Sequence, residues 1–326
     1  SLLKPIGKSA AALAEQLFSA ERISAPLHVP TEIAIASESR TDVAIEELIS
    51  FWKDPAKAFL KAQRIAVPFE DGDDRDLDLS PLSMDYLESW IIKDAILREL
   101  LSDSVNLPLM KNRLRADRSL PLGHLGENIW ETCRAAAEPV AEKLKSIHGA
   151  PLKLEIEMCS CRIHGEVPMT HDKSALVFFR AGEIKSPDQF LAPWINAICA
   201  AAAGHSLPTL LVDENLADPL VSKDSITQKV GCATLEVLLK GYFKGRHYPI
   251  CYAPKTSKEL PGALDKAKKE WIRKDIGFGG GEGIKESSKL AWRDLNPFLK
   301  TSESEKTEWE AWGESVAQPL KQWGGF

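Results

Sequence analysis

Glu183-Ile184-Lys185 is the triplet in this sequence best suited to chemistry. An acid and a lysine two residues apart share one face of an extended strand. On that face the carboxylate can hold a divalent metal while the lysine steadies a phosphate or an attacking water. Glu166, on the strand before, is the acid that would complete such a set. The block Leu152 to Lys185 therefore carries the question of whether this chain holds a live hydrolytic centre or a strand core without one.

Other motifs compete less well. Cys159-Ser-Cys161-Arg-Ile-His164 suggests a metal site, but on a strand the two cysteines share a face that His164 does not, and no second pair completes four ligands. The structural reading is preferred. The glycine run 279–283 is not a phosphate loop, since no Gly-Lys-Ser/Thr closes it; no ATP binding by this chain is expected. Residues 70–78 hold six acids and one arginine, without the spacing of a calcium loop, and read as a solvated loop. Lys111 to Arg118 is the most basic segment of the first half and reads as a solvated helix face. No Gly-x-Ser-x-Gly elbow is present, and the histidines are dispersed.

The bulk properties narrow the class. The chain has 326 residues, 44% hydrophobic and 27% charged, which is ordinary globular composition. Its net charge of −6 argues against a chain-wide nucleic-acid surface but leaves room for a local basic groove. Six scattered cysteines suit reduced, buried thiols in a cytoplasmic protein. No apolar stretch reaches a membrane span, and no signal peptide opens the chain. A start at Ser1 suggests a fragment of a longer protein.

The elements that must position the candidate residues follow from periodicity. Residues 1–40 read as a peripheral lead segment, with a helix near 9–21 and a strand near 32–37. Thr41-Asp42 is a cap candidate for a helix through Val43, Ile45, Leu48 and Trp52. Asp54-Pro55 starts another. Ser83 to Leu101 is an amphipathic helix with Met84, Leu87, Ile91, Ala95, Ile96 and Leu100 inward. A long helix from about 122 to Lys145 buries Ile129, Trp130, Cys133, Ala137 and Val140, and Pro139 would kink it. Then come three strands, the first two within 152–167, the second running into Ile163–Val167, and the third at 175–180. In the first, Leu152, Leu154, Ile156 and Met158 oppose Lys153, Glu155, Glu157 and Cys159. Ser186-Pro-Asp-Gln189 is a capping box for a helix stopped by Gly204. A strand at 209–212, a helix from about Ala217 or Ser222 to Tyr242, and a final strand at 248–252 follow. Leu260 to Arg273 is a basic helix, 279–283 a flexible loop, then a helix runs through Leu290, Trp292 and Leu295. A last helix lies within 303–323. The class is α/β, a mixed sheet flanked by helices with helical additions. The expected division is a helical part 41–150, a sheet core 151–255 and C-terminal helices 256–326.

The order helix, acid-bearing strand, strand with acid-x-Lys, helix is that of the PD-(D/E)xK nucleases, the restriction-endonuclease-like fold. Four segments resemble a known family in order: Glu47-Leu-Ile-Ser-Phe-Trp-Lys-Asp-Pro-Ala-Lys-Ala-Phe59, Leu120-Pro-Leu-Gly-His-Leu-Gly-Glu-Asn-Ile-Trp-Glu131, Gly241-Tyr-Phe-Lys-Gly-Arg-His-Tyr-Pro249, and the run from Lys266 through Gly281-Glu-Gly283 to Trp292-Arg293. They resemble the C-terminal region of the gamma chains (RecC subunits) of exodeoxyribonuclease V, the RecBCD helicase–nuclease. The resemblance implies a nuclease-like domain without an active site. It also implies a scaffold and DNA-guiding role in recombinational double-strand break repair. Implied partners are the beta (RecB) and alpha (RecD) subunits, double-stranded DNA ends and single-stranded DNA; no cofactor is implied in this chain, and no membrane. The residues agree with a degenerate centre. Pro168 stands where the second-strand acid belongs. The third strand ends in Phe178-Phe179-Arg180, and neither phenylalanine nor arginine replaces acid-x-Lys. Glu183-Ile184-Lys185 falls beyond Ala181-Gly182, in a loop. The alternative is an active metal-dependent nuclease using Glu166, Glu183 and Lys185.

Overall fold

A computed structural model describes residues 41–67, 86–102, 104–215, 221–274, 280–293, 297–298 and 307–326. The expected elements near 9–21 and 32–37, the acidic run 70–78, Met84 and Leu295 lie outside the described residues.

The chain enters on a strand rather than a helix cap. Thr41–Ala44 is β1, paired parallel to a later strand, and only Ile45–Lys53 is helical (α1). Four residues are too few to show alternation, so this strand depends on its distant partner. Asp54 then accepts the Lys57 N–H at 2.9 Å and caps α2 (Pro55–Ala62), with Pro55 at the first position as expected. The next helix, α3 (Tyr86–Leu100), is rotated from the expected phase: Ile92, Ile96 and Leu97 are buried, while Ile91 faces solvent. A short α4 (Leu107–Ala116) follows, capped by Asn106. The long α5 (Gly123–Ile147) runs on through Pro139.

β2 (Leu152–Met158) and β3 (Cys161–Val167) form an antiparallel hairpin with Leu154 and Ile156 inward. β4 (Leu176–Phe179) leads by a loop to α6 (Pro187–Ala202), which ends before Gly204 as expected. β5 (Thr209–Val212) lies parallel to β4. The helix expected from 217 or 222 begins later. Val221–Lys223 is instead a short strand, β6, antiparallel to β5, and α7 spans Gln228–His247.

Residues 248–252 are not a strand. Ile250 and Tyr252 enter one core while Cys251 and Ala253 enter another. The alternation comes from threading between two cores, without a ladder partner. α8 (Pro254–Ser257) comes first, and the basic helix expected over 260–273 is present but shorter, as α9 (Leu264–Trp271). Gly281 and Gly283 are not a loose loop either: a Cβ on Gly283 would lie 2.3 Å from Trp271 Nε1. A 3₁₀ turn (Glu282–Ile284), α10 (Glu286–Trp292), α11 (Glu308–Trp312), a π segment (Gly313–Ala317) and α12 (Gln318–Gly324) complete the described chain.

The fold is α/β, with two small mixed sheets ordered β1-β3-β2 and β4-β5-β6 and flanked by helices. The sheets are stitched where the Val177 N–H donates to the Pro168 carbonyl (2.9 Å) and the Thr170 N–H to that of Ala175 (3.0 Å). One core lies between β1 to β3, α1, α6 and α7. A second joins α3 and α5 to Val177 and Val212. The third is aromatic and gathers α2, α9 and α10 around Trp271, Phe298 and Trp309. α1 reaches α7 closely because Gly241 and Gly245 leave room: a Cβ on them would lie 2.5 Å from the Trp52 ring and 2.3 Å from the Phe51 ring. Among the described residues no helix is long and apolar enough to cross a membrane.

Candidate functional site

β3, β4 and the loop into α6 place the residues singled out by sequence. Glu166 points outward from β3, 3.4 Å from Lys153 on β2, its cross-strand partner. Pro168 sits just past the end of β3, where its carbonyl receives the Val177 N–H. A proline here has no carboxylate to offer, and its role is to hand the chain from one sheet to the other.

The end of β4 is packed. Phe178 lies against the first core and Phe179 against the second. Arg180 follows with its guanidinium 4.3 Å from the Trp90 ring on α3, a cation–π stack. A planar guanidinium on an indole is no substitute for a lysine aimed at a phosphate.

Glu183, Ile184 and Lys185 lie in the loop between β4 and α6. Glu183 and Lys185 form an ion pair with each other. The loop is pinned at two points. Asp213, just beyond β5, accepts the Ile184 N–H at 3.1 Å, and the Gln189 side chain accepts the N–H groups of Lys185 (2.8 Å) and Ser186 (3.0 Å). Gln189 was legible as a capping residue. Asp213 was missed; its only signal was an acid directly after an apolar strand.

A divalent metal, the usual aid to a nuclease of this order, does not fit these donors. Among the described residues no three His, Cys, Asp or Glu side chains converge as a metal would need. Glu166 faces Lys153, and Glu183 is committed to Lys185. The cysteine motif separates as well. Cys159 is in the hairpin turn rather than on the strand, Cys161 is buried, and His164 is exposed on the opposite face. All six cysteines are free, and burial pushes the Cys199 thiol up to about 12. The basic segment Lys111–Arg118 is partly neutralised, since Lys111 and Arg115 both bind Glu127.

Comparison with known proteins decides the family. The model of the RecC C-terminal domain matches residues 40–264. The chain belongs to the RecC C-terminal domain family. It is 24% identical over 278 residues to the RecBCD enzyme subunit RecC of Escherichia coli, covering 78% of this chain and 24% of that protein. The RecC of Mycolicibacterium smegmatis is 34% identical over 86 residues, 26% of this chain and 8% of that protein. The RecC of Mycobacterium tuberculosis is 24% identical over 224 residues, 66% of this chain and 20% of that protein. The chain thus spans about a quarter or less of these curated relatives.

Proposed function

We propose that this chain is a non-catalytic, nuclease-like domain that serves as scaffold and DNA guide in a RecC-type subunit of an exodeoxyribonuclease V complex. The observation that carries the reading is the end of β4. There phenylalanines pack against two cores and an arginine stacks on Trp90; in this reading they stand in place of acid-x-Lys. The order α5, β2–β3, β4, α6 supports a restriction-endonuclease-like core, with residues 41–326 as one domain. In this reading the partners are RecB- and RecD-type subunits, DNA ends and single strands, in the cytoplasm. ATP and metal chemistry belong to those partners, and this chain needs no cofactor.

The test is incubation of the purified chain with linear duplex and single-stranded DNA in Mg²⁺ or Mn²⁺. No cleavage is expected, and the chain should co-purify with RecB- and RecD-type subunits when placed in its full-length subunit. Metal-dependent cleavage lost in Glu183→Ala would overturn the reading in favour of an active nuclease using Glu166, Glu183 and Lys185.

A further inference from the structure

A cleft of about 640 Å³ opens between α1, α2 and the last turn of α7, away from the sheet centre. Two of the segments that carry the family resemblance, 47–59 and 241–249, meet there. Lys53 at the end of α1, Lys57 and Lys61 four residues apart on α2, and Arg64 just past α2 line the cleft, and Arg246 lines it from α7. Two carboxylates share the lining, and both have internal duties. Glu47 accepts the Tyr242 hydroxyl at 2.5 Å. Asp54 caps α2, receives the Ser287 hydroxyl at 3.3 Å and lies 3.7 Å from Lys285. Lys61, Arg64 and Arg246 pair with no carboxylate among the described residues. In a chain of net charge −6, this is a local surplus of positive charge.

Two features hold those cations in place. Arg246 lies 5.6 Å from the Tyr242 ring, and its backbone carbonyl receives the Gln63 side chain at 2.8 Å, a strut between α2 and α7. Arg64 closes α2 with φ 57°, the left-handed conformation that glycine adopts freely and arginine does not. The fold accepts that cost and gains a guanidinium at the mouth of the cleft. Phe51 and Tyr242 are buried in the floor, so no ring is offered for base stacking. The chemistry left is a row of cations for a row of phosphates, in a cleft of about 640 Å³.

We propose that this groove is a track for the phosphodiester backbone of single-stranded DNA. The proposal rests on the guiding role above and names the surface that performs it. Fluorescence anisotropy with a labelled oligothymidylate tests it on the purified chain, from about 50 to about 200 mM salt. With about three phosphates engaged, log affinity should fall against log salt with a slope of about −2. Arg64→Gly should weaken binding about fivefold and flatten the slope by about 0.7, while thermal stability holds or rises because glycine suits the left-handed position. Lys61→Glu should weaken binding further, whereas Lys145→Glu, on α5, should leave it unchanged.

If wild type binds with this salt dependence but Arg64→Gly and Lys61→Glu bind as well as it does, the groove is overturned and the guiding role stands. Equal losses in Lys145→Glu would also overturn the groove, since net charge alone would then account for binding. No wild-type binding at low salt would overturn the guiding role and the groove with it.

Discussion

The two sheets handle charge in opposite ways. In the β2–β3 hairpin only one face is covered. Leu154, Ile156 and Ile163 face the core, while Lys153, Glu155, Glu157, His164 and Glu166 stand on the other face. There the charges answer one another across strands, as Lys153–Glu166 and Arg162–Glu155. Such exposed pairs add little to stability, because water screens both charges. β4 and β5 are covered on both faces. Leu176 and Leu211 enter one core, Val177 and Val212 the other. A carboxylate there would lose its water without gaining a partner. An acid on β4 would need an opening in that cover; just past the strand, Arg180 stacks on Trp90 of α3.

The largest test of this contrast is to move charge between the sheets. Val177→Asp should cost about 3–5 kcal/mol, because it buries an unpaired carboxylate. Glu155→Val, on the bare face, should change stability by less than about 0.5 kcal/mol despite losing Arg162. Urea unfolding of both variants measures the difference; similar costs would show that cover does not set where charge is tolerated.

A middle-sized effect concerns Glu282, the one buried carboxylate among the described residues. It is buried, and it accepts N–H groups from Lys255 (3.2 Å) and Thr256 (2.8 Å). Burial nonetheless holds its carboxyl above the usual 4.5. A raised folded-state value means the native chain keeps a proton that the unfolded chain gives up. Its stabilisation is therefore complete below about pH 4.5 and is lost as pH rises through the folded value. The difference in urea midpoint between wild type and Glu282→Gln should shift with pH in that direction across the interval. A difference independent of pH would show that Glu282 ionises freely.

The smallest effect lies at the exposed turn of the hairpin. Cys159 and Ser160 both take left-handed conformations, φ 52° and 60°. These are the angles of the two-residue turn that favours Asn-Gly. The double variant Cys159→Asn, Ser160→Gly should gain about 1 kcal/mol. A loss in thermal melting would mean these side chains hold the turn by contacts of their own.

The sequence was most readable where local chemistry decides. The alternation of 152–158, the Asp54-Pro55 restart, the Gln189 capping residue and the stop at Gly204 all follow from residues close in the chain. It was least readable where distant partners decide. β1 and β6 are too short to carry a pattern and exist through β3 and β5. Residues 248–252 alternate like a strand because they pass between two cores. The candidate site divides in the same way. That Phe178 and Arg180, rather than an acid and a lysine, stand at the end of the third strand was plain in the sequence. The pinning of the 183–185 loop by Asp213 was not, since those groups are 29 residues apart. The basic groove was also hidden: sequence alone drew attention to 111–118, while Arg246 lies 182 residues from Arg64.

The glycine notches on α7 bear on motion as well as packing. With the Trp52 and Phe51 rings seated against Gly241 and Gly245, α1 cannot slide along α7 without colliding with a side chain on either side of the seat. The two helices should therefore open to solvent together, as one cooperative unit with shared amide-exchange protection. A cleft whose floor is such a unit presents its cations already in place, so a ligand strand would spend its binding energy on contact rather than on ordering the protein.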